Sequence, residues 1–352
     1  MLKTFGRKTS HRFWVILCST LLASSAWAQD VLFLPVFGSQ PETGFQFGLA
    51  GVWEQSAEPD ALALNVFALG SNKRQYRANV QLQTRGWLAR RQDRLQFELL
   101  LRDFTDNFYG YQANFQDSGL RYLEQTYGGS VRWWVPLNRR WEAAVGLRTL
   151  TSSVRFSDPQ SPLLEDVAWR DGGRLLGLST VLQRDTRNTP DWPSAGHLVT
   201  LELNAALTDA NTWPLGVIVA TTAYRALHPR LIWAGGLQLQ AATANSPFLI
   251  MPELSGTQWM RGLRGGQYRH YTTAAMQSEL RTELSPRWAA VGFTHLGQVG
   301  ADPQAWFDSA WKWGGGLGLR FSVSRERRLN LRLDYGVVDG RSGMIISFGE
   351  AF

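Results

Sequence analysis

The sequence predicts an all-β protein, a 16-stranded antiparallel transmembrane β-barrel of the outer membrane. Three observations lead there: an export signal at the N-terminus, a long series of amphipathic segments of strand type, and connections that alternate between short turns and long loops.

The signal comes first. Lys3, Arg7, Lys8 and Arg12 precede an apolar stretch from Phe13 to Ala23, and Ala26-Trp27-Ala28 then offers small residues ahead of Gln29 and Asp30. That is the layout of a cleaved secretory signal. Cleavage after Ala28 is expected, with residues 1–28 as signal peptide and 29–352 as one transmembrane barrel domain beginning at Gln29. The apolar stretch is shorter than the roughly 20 residues of a membrane-spanning helix, which disfavours a retained anchor. Cys18 is the one cysteine of the chain and falls inside the signal, so the mature protein is expected to form no disulfide and no thiolate metal site.

Composition agrees with a barrel. The signal takes four of the 36 Lys and Arg, leaving 32 against 29 Asp and Glu, so the formal charge falls from +7 to +3. The remaining basic residues are nearly all arginine, dispersed along the chain, and no nucleic-acid partner is expected. Aromatic residues are abundant, with 16 Trp, 18 Phe and 9 Tyr in a chain of mean hydropathy −0.21. A lipid-facing surface, a polar lumen and interfacial aromatic girdles together give such a mixture.

No segment after the signal reaches 18 uncharged apolar residues, which excludes a helical membrane protein. Period-two alternation recurs instead. Tyr76, Ala78, Val80 and Leu82 oppose Gln75, Arg77, Asn79, Gln81 and Gln83; Leu329, Leu331, Leu333 and Tyr335 oppose Arg328, Asn330, Arg332 and Asp334. Each is the signature of a strand with one apolar face. Strands are expected near 31–38, 44–54, 61–70, 75–87, 94–104, 120–135, 141–156, 172–184, 196–207, 215–227, 230–243, 271–284, 287–300, 313–323, 328–338 and 343–352. Most reach the roughly 9 to 11 residues needed to cross a bilayer at a tilt. Pro136-Leu137-Asn138, His228-Pro229 and Ser285-Pro286 are turns of one end, the expected periplasmic end, whereas 105–119, 157–171 and 244–270 are long loops of the other. Short periplasmic turns and longer external loops are the outer-membrane pattern.

Several segments, in order, carry a resemblance. The stretch Pro247 to Arg281 contains Arg261-Gly262-Leu263; PETGFQFGLA occupies 41–50, DNFYGY 106–111, QRDTRNTPDWPSAG 183–196, RLDYG 332–336 and SFGEAF 347–352. Together they resemble the bacterial surface antigen superfamily, the outer-membrane assembly factors that include BamA and TamA. Arg261-Gly262-Leu263 is similar to that family's Arg-Gly-aromatic tip of the sixth external loop, with leucine in the aromatic position. The resemblance implies that the loop folds into the lumen and that its arginine meets carboxylates on the two following strands.

An arginine inside the lumen loses hydration and needs a carboxylate able to accept a two-pronged hydrogen bond. Glu279 shares the expected inward register with Gln277, Arg281 and Glu283 and is the first candidate, with Glu283 and Asp334 in reserve. The family's second partner is an Asp in a Phe-x-Asp-x-Gly pattern, and here Phe293-Thr294-His295-Leu296-Gly297 places His295 there. The competing expectation is a solvated Arg261. Met344, Ile346, Phe348 and Phe352 fall on one register of the last strand, resembling the C-terminal signal of assembly clients, with Glu350 interrupting the alternation and Gly349 weakening the pairing. Pro35, in the first strand, donates no ladder hydrogen bond, which suits either a weak seam or an ordinary edge.

Chemistry of other kinds finds no motif. His197, His228, His270 and His295 are not at metal-ligand spacing, and neither a nucleophile elbow nor a phosphate loop is present. No enzyme activity and no cofactor are expected. The resemblance implies a barrel-only member, lacking the periplasmic POTRA domains of its relatives, that assists insertion or translocation of proteins or lipids. Its partners would be outer-membrane lipids and assembly machinery or client proteins. A passive channel or structural barrel is the alternative.

Overall fold

The computed structural model describes residues 29–40, 44–55, 62–86, 92–111, 118–254, 258–308, 310–324 and 328–352. The expected signal, with Ala26 and Ala28, lies outside the described residues, and Gln29 opens the first strand. Among the described residues are 16 strands in one antiparallel sheet, each paired with its neighbours in chain order. They are β1 (Gln29–Gln40), β2 (Gly44–Gln55), β3 (Leu62–Ser71), β4 (Tyr76–Arg85), β5 (Arg94–Phe108), β6 (Leu120–Pro136), β7 (Trp141–Phe156) and β8 (Gly172–Asp185). The second half comprises β9 (Ala195–Thr208), β10 (Leu215–His228), β11 (Leu231–Ala242), β12 (Thr272–Glu283), β13 (Trp288–Gly300), β14 (Lys312–Ser324), β15 (Leu329–Val338) and β16 (Arg341–Phe348). No described helix is long and apolar enough to cross a membrane. The fold is a transmembrane β-barrel.

The strands form because their sequences alternate, and the alternation sets which side faces out. On β12, Met276 and Leu280 are exposed while Gln277, Glu279 and Arg281 are buried; on β15, Leu333 and Tyr335 are exposed while Asn330, Arg332 and Asp334 are buried. A globular core would give the reverse. Apolar outside and polar inside is the arrangement of a barrel in lipid. Trp288 packs on Phe321 at the short-turn end, and Trp313 is exposed opposite Leu296 eight residues farther up β13. The band between these aromatics matches the roughly 25 Å apolar height of outer-membrane barrels.

The lumen is unevenly filled. At the long-loop end Phe108, Tyr122, Phe156 and Phe248 form an aromatic cluster with centroids 5.3–6.1 Å apart, supported by Val154, Leu163, Leu164 and Met251. Loop 243–271 thus plugs that mouth with its own Phe248. At the opposite end, Trp192 of the β8–β9 turn is buried against Ile232 and Ala289. Between β5 and β11 a polar cavity of about 240 Å³ remains, lined by Glu98, Arg132, Arg148 and Glu202 among others, with Arg132 paired to Glu202 at 2.9 Å.

Two departures from the sequence expectation concern strand ends. β5 runs on to Phe108, because Phe108 packs into the aromatic plug rather than lying in an external loop. The last strand ends at Phe348 instead of reaching 352, because Gly349 adopts φ 72°, a conformation glycine reaches without steric cost, and turns the chain off the sheet.

The outward-facing Leu99 and the neighbouring lumen-facing Gln81 test the orientation. Leu99→Arg should lower unfolding free energy in lipid vesicles by about 2–4 kcal/mol, and Gln81→Arg by less than about 1 kcal/mol. Urea titration of both variants checks this, and equal losses would contradict the assigned faces.

Candidate functional site

The site is built by loop 243–271 entering the lumen against β12–β16. Arg261 is fully buried and its guanidinium is held from three sides. It pairs with Glu279 of β12, donates to Asp334 Oδ2 of β15 at 2.9 Å and to Gln277 Oε1 at 3.4 Å, and lies with its carbon 3.5 Å from the ring centre of Phe293 on β13. Burying a guanidinium costs several kcal/mol of hydration, and only carboxylates with good geometry offset it. The Phe293 face adds a cation–π contact that strengthens where water is excluded.

Close backbone approach makes this insertion possible. Gly262 has φ 115°, and a Cβ there would sit 2.8 Å from the Gly336 carbonyl carbon. Gly336 is in turn pressed against the Arg261 carbonyl, so β15 needs glycine as much as the loop does. On β13, a Cβ at Gly297 would meet Leu254 Cδ2 at 2.9 Å and Met260 Sδ at 3.0 Å. Leu263 closes the apolar half of the contact, buried with Leu254, Trp259, Met260, Tyr268, Ala275, Val299 and Val338.

The second acceptor for Arg261 is therefore Asp334, one of the two reserves, reached from β15 rather than from the Phe293–Gly297 segment. Glu283, the other reserve, is engaged elsewhere with Arg328. His295 is buried on the inward side of β13, its ring stacked 5.8 Å from Phe293, and neither ring nitrogen has a hydrogen-bond partner among the described residues. It occupies the position of the absent carboxylate without replacing its charge.

Further charges surround the lock. Arg281 donates to Glu279 Oε2 at 2.9 Å, Arg320 joins Asp334 and also Glu350 at 2.8 Å, and Arg332 lies 3.6 Å from Asp334. Four buried arginines thus share Glu279, Asp334 and Glu350. Sequence reasoning left Arg320, Arg332 and Glu350 out of the lock, although inward alternation marks Arg320 and Arg332.

The C-terminal residues depart from their expected register. Ile346 and Phe348 face outward with Met344, as the alternation predicts. Phe352 does not: after Gly349 the chain turns inward, Glu350 accepts from Arg320 and Asn330, and the Phe352 ring stacks on Trp259 and Tyr224 at 6.2 and 6.4 Å. The Arg281 guanidinium lies 5.3 Å from the same ring and donates to the Phe352 carbonyl oxygen at 3.1 Å. The physical cause is Glu350. Continued as a strand, residue 350 would share the lipid-facing register of Phe348, where a carboxylate is costly, whereas the turn at Gly349 brings it to Arg320.

The two ends of the ladder are β1, which carries Pro35, and β16. A cavity of about 420 Å³ lies between them, lined by Pro35 and Val36, by Ala50, Val52, Phe67 and Asn79 on the lumen side of β2–β4, and by Met344, Ile346 and Phe348 on the outer side of β16. No β1–β16 ladder joins this seam among the described residues.

An outward-apolar barrel and a loop locked in its lumen define the class: an outer-membrane-type β-barrel with an inserted long loop. BamA from Haemophilus ducreyi lacking POTRA domains 1–3 superposes with a TM-score of 0.60 at 13% identity, over 96% of this chain and 74% of that one. CdiB from Acinetobacter baumannii gives 0.56 at 12% identity over 91% and 59%, and CdiB from Escherichia coli 0.55 at 13% over 97% and 67%. The chain has the fold of these 16-stranded barrels. No protein-family model matches the sequence, and no curated protein matches it either.

A substitution at the loop–wall contact tests the insertion. Gly336→Val places atoms inside the Arg261–Gly262 backbone and should expel the loop, with a stability loss of about 3 kcal/mol or more from overpacking and the uncovered charges together. Gly177→Ala, whose Cβ has its nearest neighbour at 3.6 Å, should be close to neutral. Limited proteolysis of loop 243–271 is the readout, and equal protection in the two variants would contradict the packing.

Proposed function

We propose that this chain works at the outer membrane as an assembly or translocation barrel, assisting insertion or passage of proteins through its seam. The observation that carries the reading is the lock of Arg261, Glu279 and Asp334 within a barrel of the BamA and CdiB fold. A passive channel requires a continuous water path. Here the inserted loop, the Phe108–Phe248 plug and Trp192 occupy the lumen at both ends and along one side.

A filled lumen beside a seam that no described ladder joins favours lateral exchange. The free edges of β1 and β16 offer backbone donors and acceptors that bilayer cannot satisfy and that an incoming extended segment can. Bracing the lumen keeps the remaining wall rigid while this edge exchanges partners. The same chemistry suits a polypeptide better than a lipid, because only a polypeptide pairs with a strand edge.

The test is client folding in vesicles. With the barrel present, an unfolded outer-membrane barrel protein should fold faster than in empty vesicles, followed by its heat-modifiable gel migration. Val36→Cys and Ile346→Cys joined by a bifunctional maleimide should abolish the gain by closing the seam. Unchanged client folding together with steady ionic conductance in a planar bilayer would replace this function with that of a passive channel.

A further inference from the structure

Three turns at the short-turn rim are variants of one five-residue unit. Leu137-Asn138-Arg139-Arg140-Trp141, Leu227-His228-Pro229-Arg230-Leu231 and Leu284-Ser285-Pro286-Arg287-Trp288 each begin with leucine, carry arginine at the fourth position and end with Trp or Leu. In the first and third, the leucine N–H donates to the tryptophan carbonyl at 2.8 and 2.9 Å, and the next residue's N–H joins it at 3.2 and 3.0 Å. The units lie on the β6–β7, β10–β11 and β12–β13 hairpins, scattered in sequence and gathered on one rim by the fold.

Their side chains are sorted by register. Leu137 and Leu284 continue the outward alternation of Trp133 and Leu280, Leu227 stands at the β-bulge that ends β10, and the exposures of the three are 58%, 57% and 54%. Trp141, Leu231 and Trp288 continue the same outward face on the following strands. Each turn thus presents two apolar side chains toward lipid with an arginine between them at the water boundary. None of the three segments contains Asp or Glu. Arg139, Arg140, Arg230 and Arg287 form no ion pair among the described residues.

Apolar anchors beside an unneutralised guanidinium match the boundary between acyl chains and headgroups, where long basic side chains extend to the phosphate depth. The guanidinium fork fits a phosphate through two parallel hydrogen bonds. Spacing separates the lipid from a protein partner. The first unit lies four strands from the second and the second two strands from the third, about 20 and about 10 Å along the wall. Small repeated sites at such intervals each suit one headgroup, whereas a single protein face would not need the same apolar pair at every turn.

We propose that this rim binds anionic phospholipid headgroups of the leaflet it meets, one phosphate at each Leu-x-x-Arg unit. The inference requires the barrel to sit in a bilayer and is independent of the assembly role.

The test uses the whole barrel, released from detergent in the presence of phosphatidylglycerol or of phosphatidylcholine with the same acyl chains, and read by native mass spectrometry. Phosphatidylglycerol should be retained about tenfold better, with up to three tightly held copies, and the preference should weaken with salt. A barrel carrying Arg139→Gln, Arg140→Gln, Arg230→Gln and Arg287→Gln should lose most of that preference, while Arg121→Gln with Arg155→Gln at the opposite end should keep it. Should the fourfold variant fail to fold, Arg230→Gln and Arg287→Gln alone should each remove one bound lipid. Equal retention of the two lipids, an unchanged preference in the rim variants, or displacement of phosphatidylglycerol by polyglutamate at matched charge would overturn the proposal, the last by assigning the rim to an acidic polypeptide.

Discussion

A guanidinium carried by a loop into a water-poor lumen must find carboxylates, and most of the architecture around Arg261 follows from that requirement. Glu279 and Asp334 come from β12 and β15, which are not neighbours in the sheet, so the loop tip bridges the wall across two intervening strands. To reach both, its backbone must touch the wall, and Gly262, Gly297 and Gly336 are the positions that let it. Phe293 then supplies a ring face to the same guanidinium.

The same charge balance reaches the end of the chain. Arg320 binds Asp334 and Glu350 together, so the residues after Gly349 are drawn to the lock, and Phe352 stacks on Trp259 of the inserted loop. Loop and C-terminal segment are therefore held by one network. β16 is short as a result, with 8 residues against 17 in β6, and the seam it borders is where the wall is least supported. A rigid lumen and a weak edge arise from a single set of interactions, which gives the proposed lateral exchange a structural basis.

Much of this was legible in the sequence because strand alternation reports which face a residue occupies. It placed Glu279 and Asp334 inward and Leu333 and Met344 outward without any knowledge of neighbours. Alternation does not report which residues on distant strands meet, so Asp334 ranked only as a reserve, and the Arg281–Phe352–Trp259 stack was invisible. Period two carried through Gly349 puts Phe352 on the register of Met344 and Phe348, and the interruption at Glu350 is the sign in the sequence that the strand does not continue to it. The rim arginines illustrate the same limit, since residues dispersed over 150 positions read as compositional background until hairpin turns align them.

The central claim, that a desolvated Arg261 pair holds the loop in the lumen, is tested most directly by a double-mutant cycle on stability in lipid vesicles. Arg261→Ala and Glu279→Gln should each cost roughly 3–5 kcal/mol, because each breaks the desolvated pair from one side and unbalances the buried network of Arg281, Asp334 and Arg320 around it, and the double variant should cost little more than either. Losses that add, or single losses below about 1 kcal/mol as for a solvated surface pair, would contradict the account.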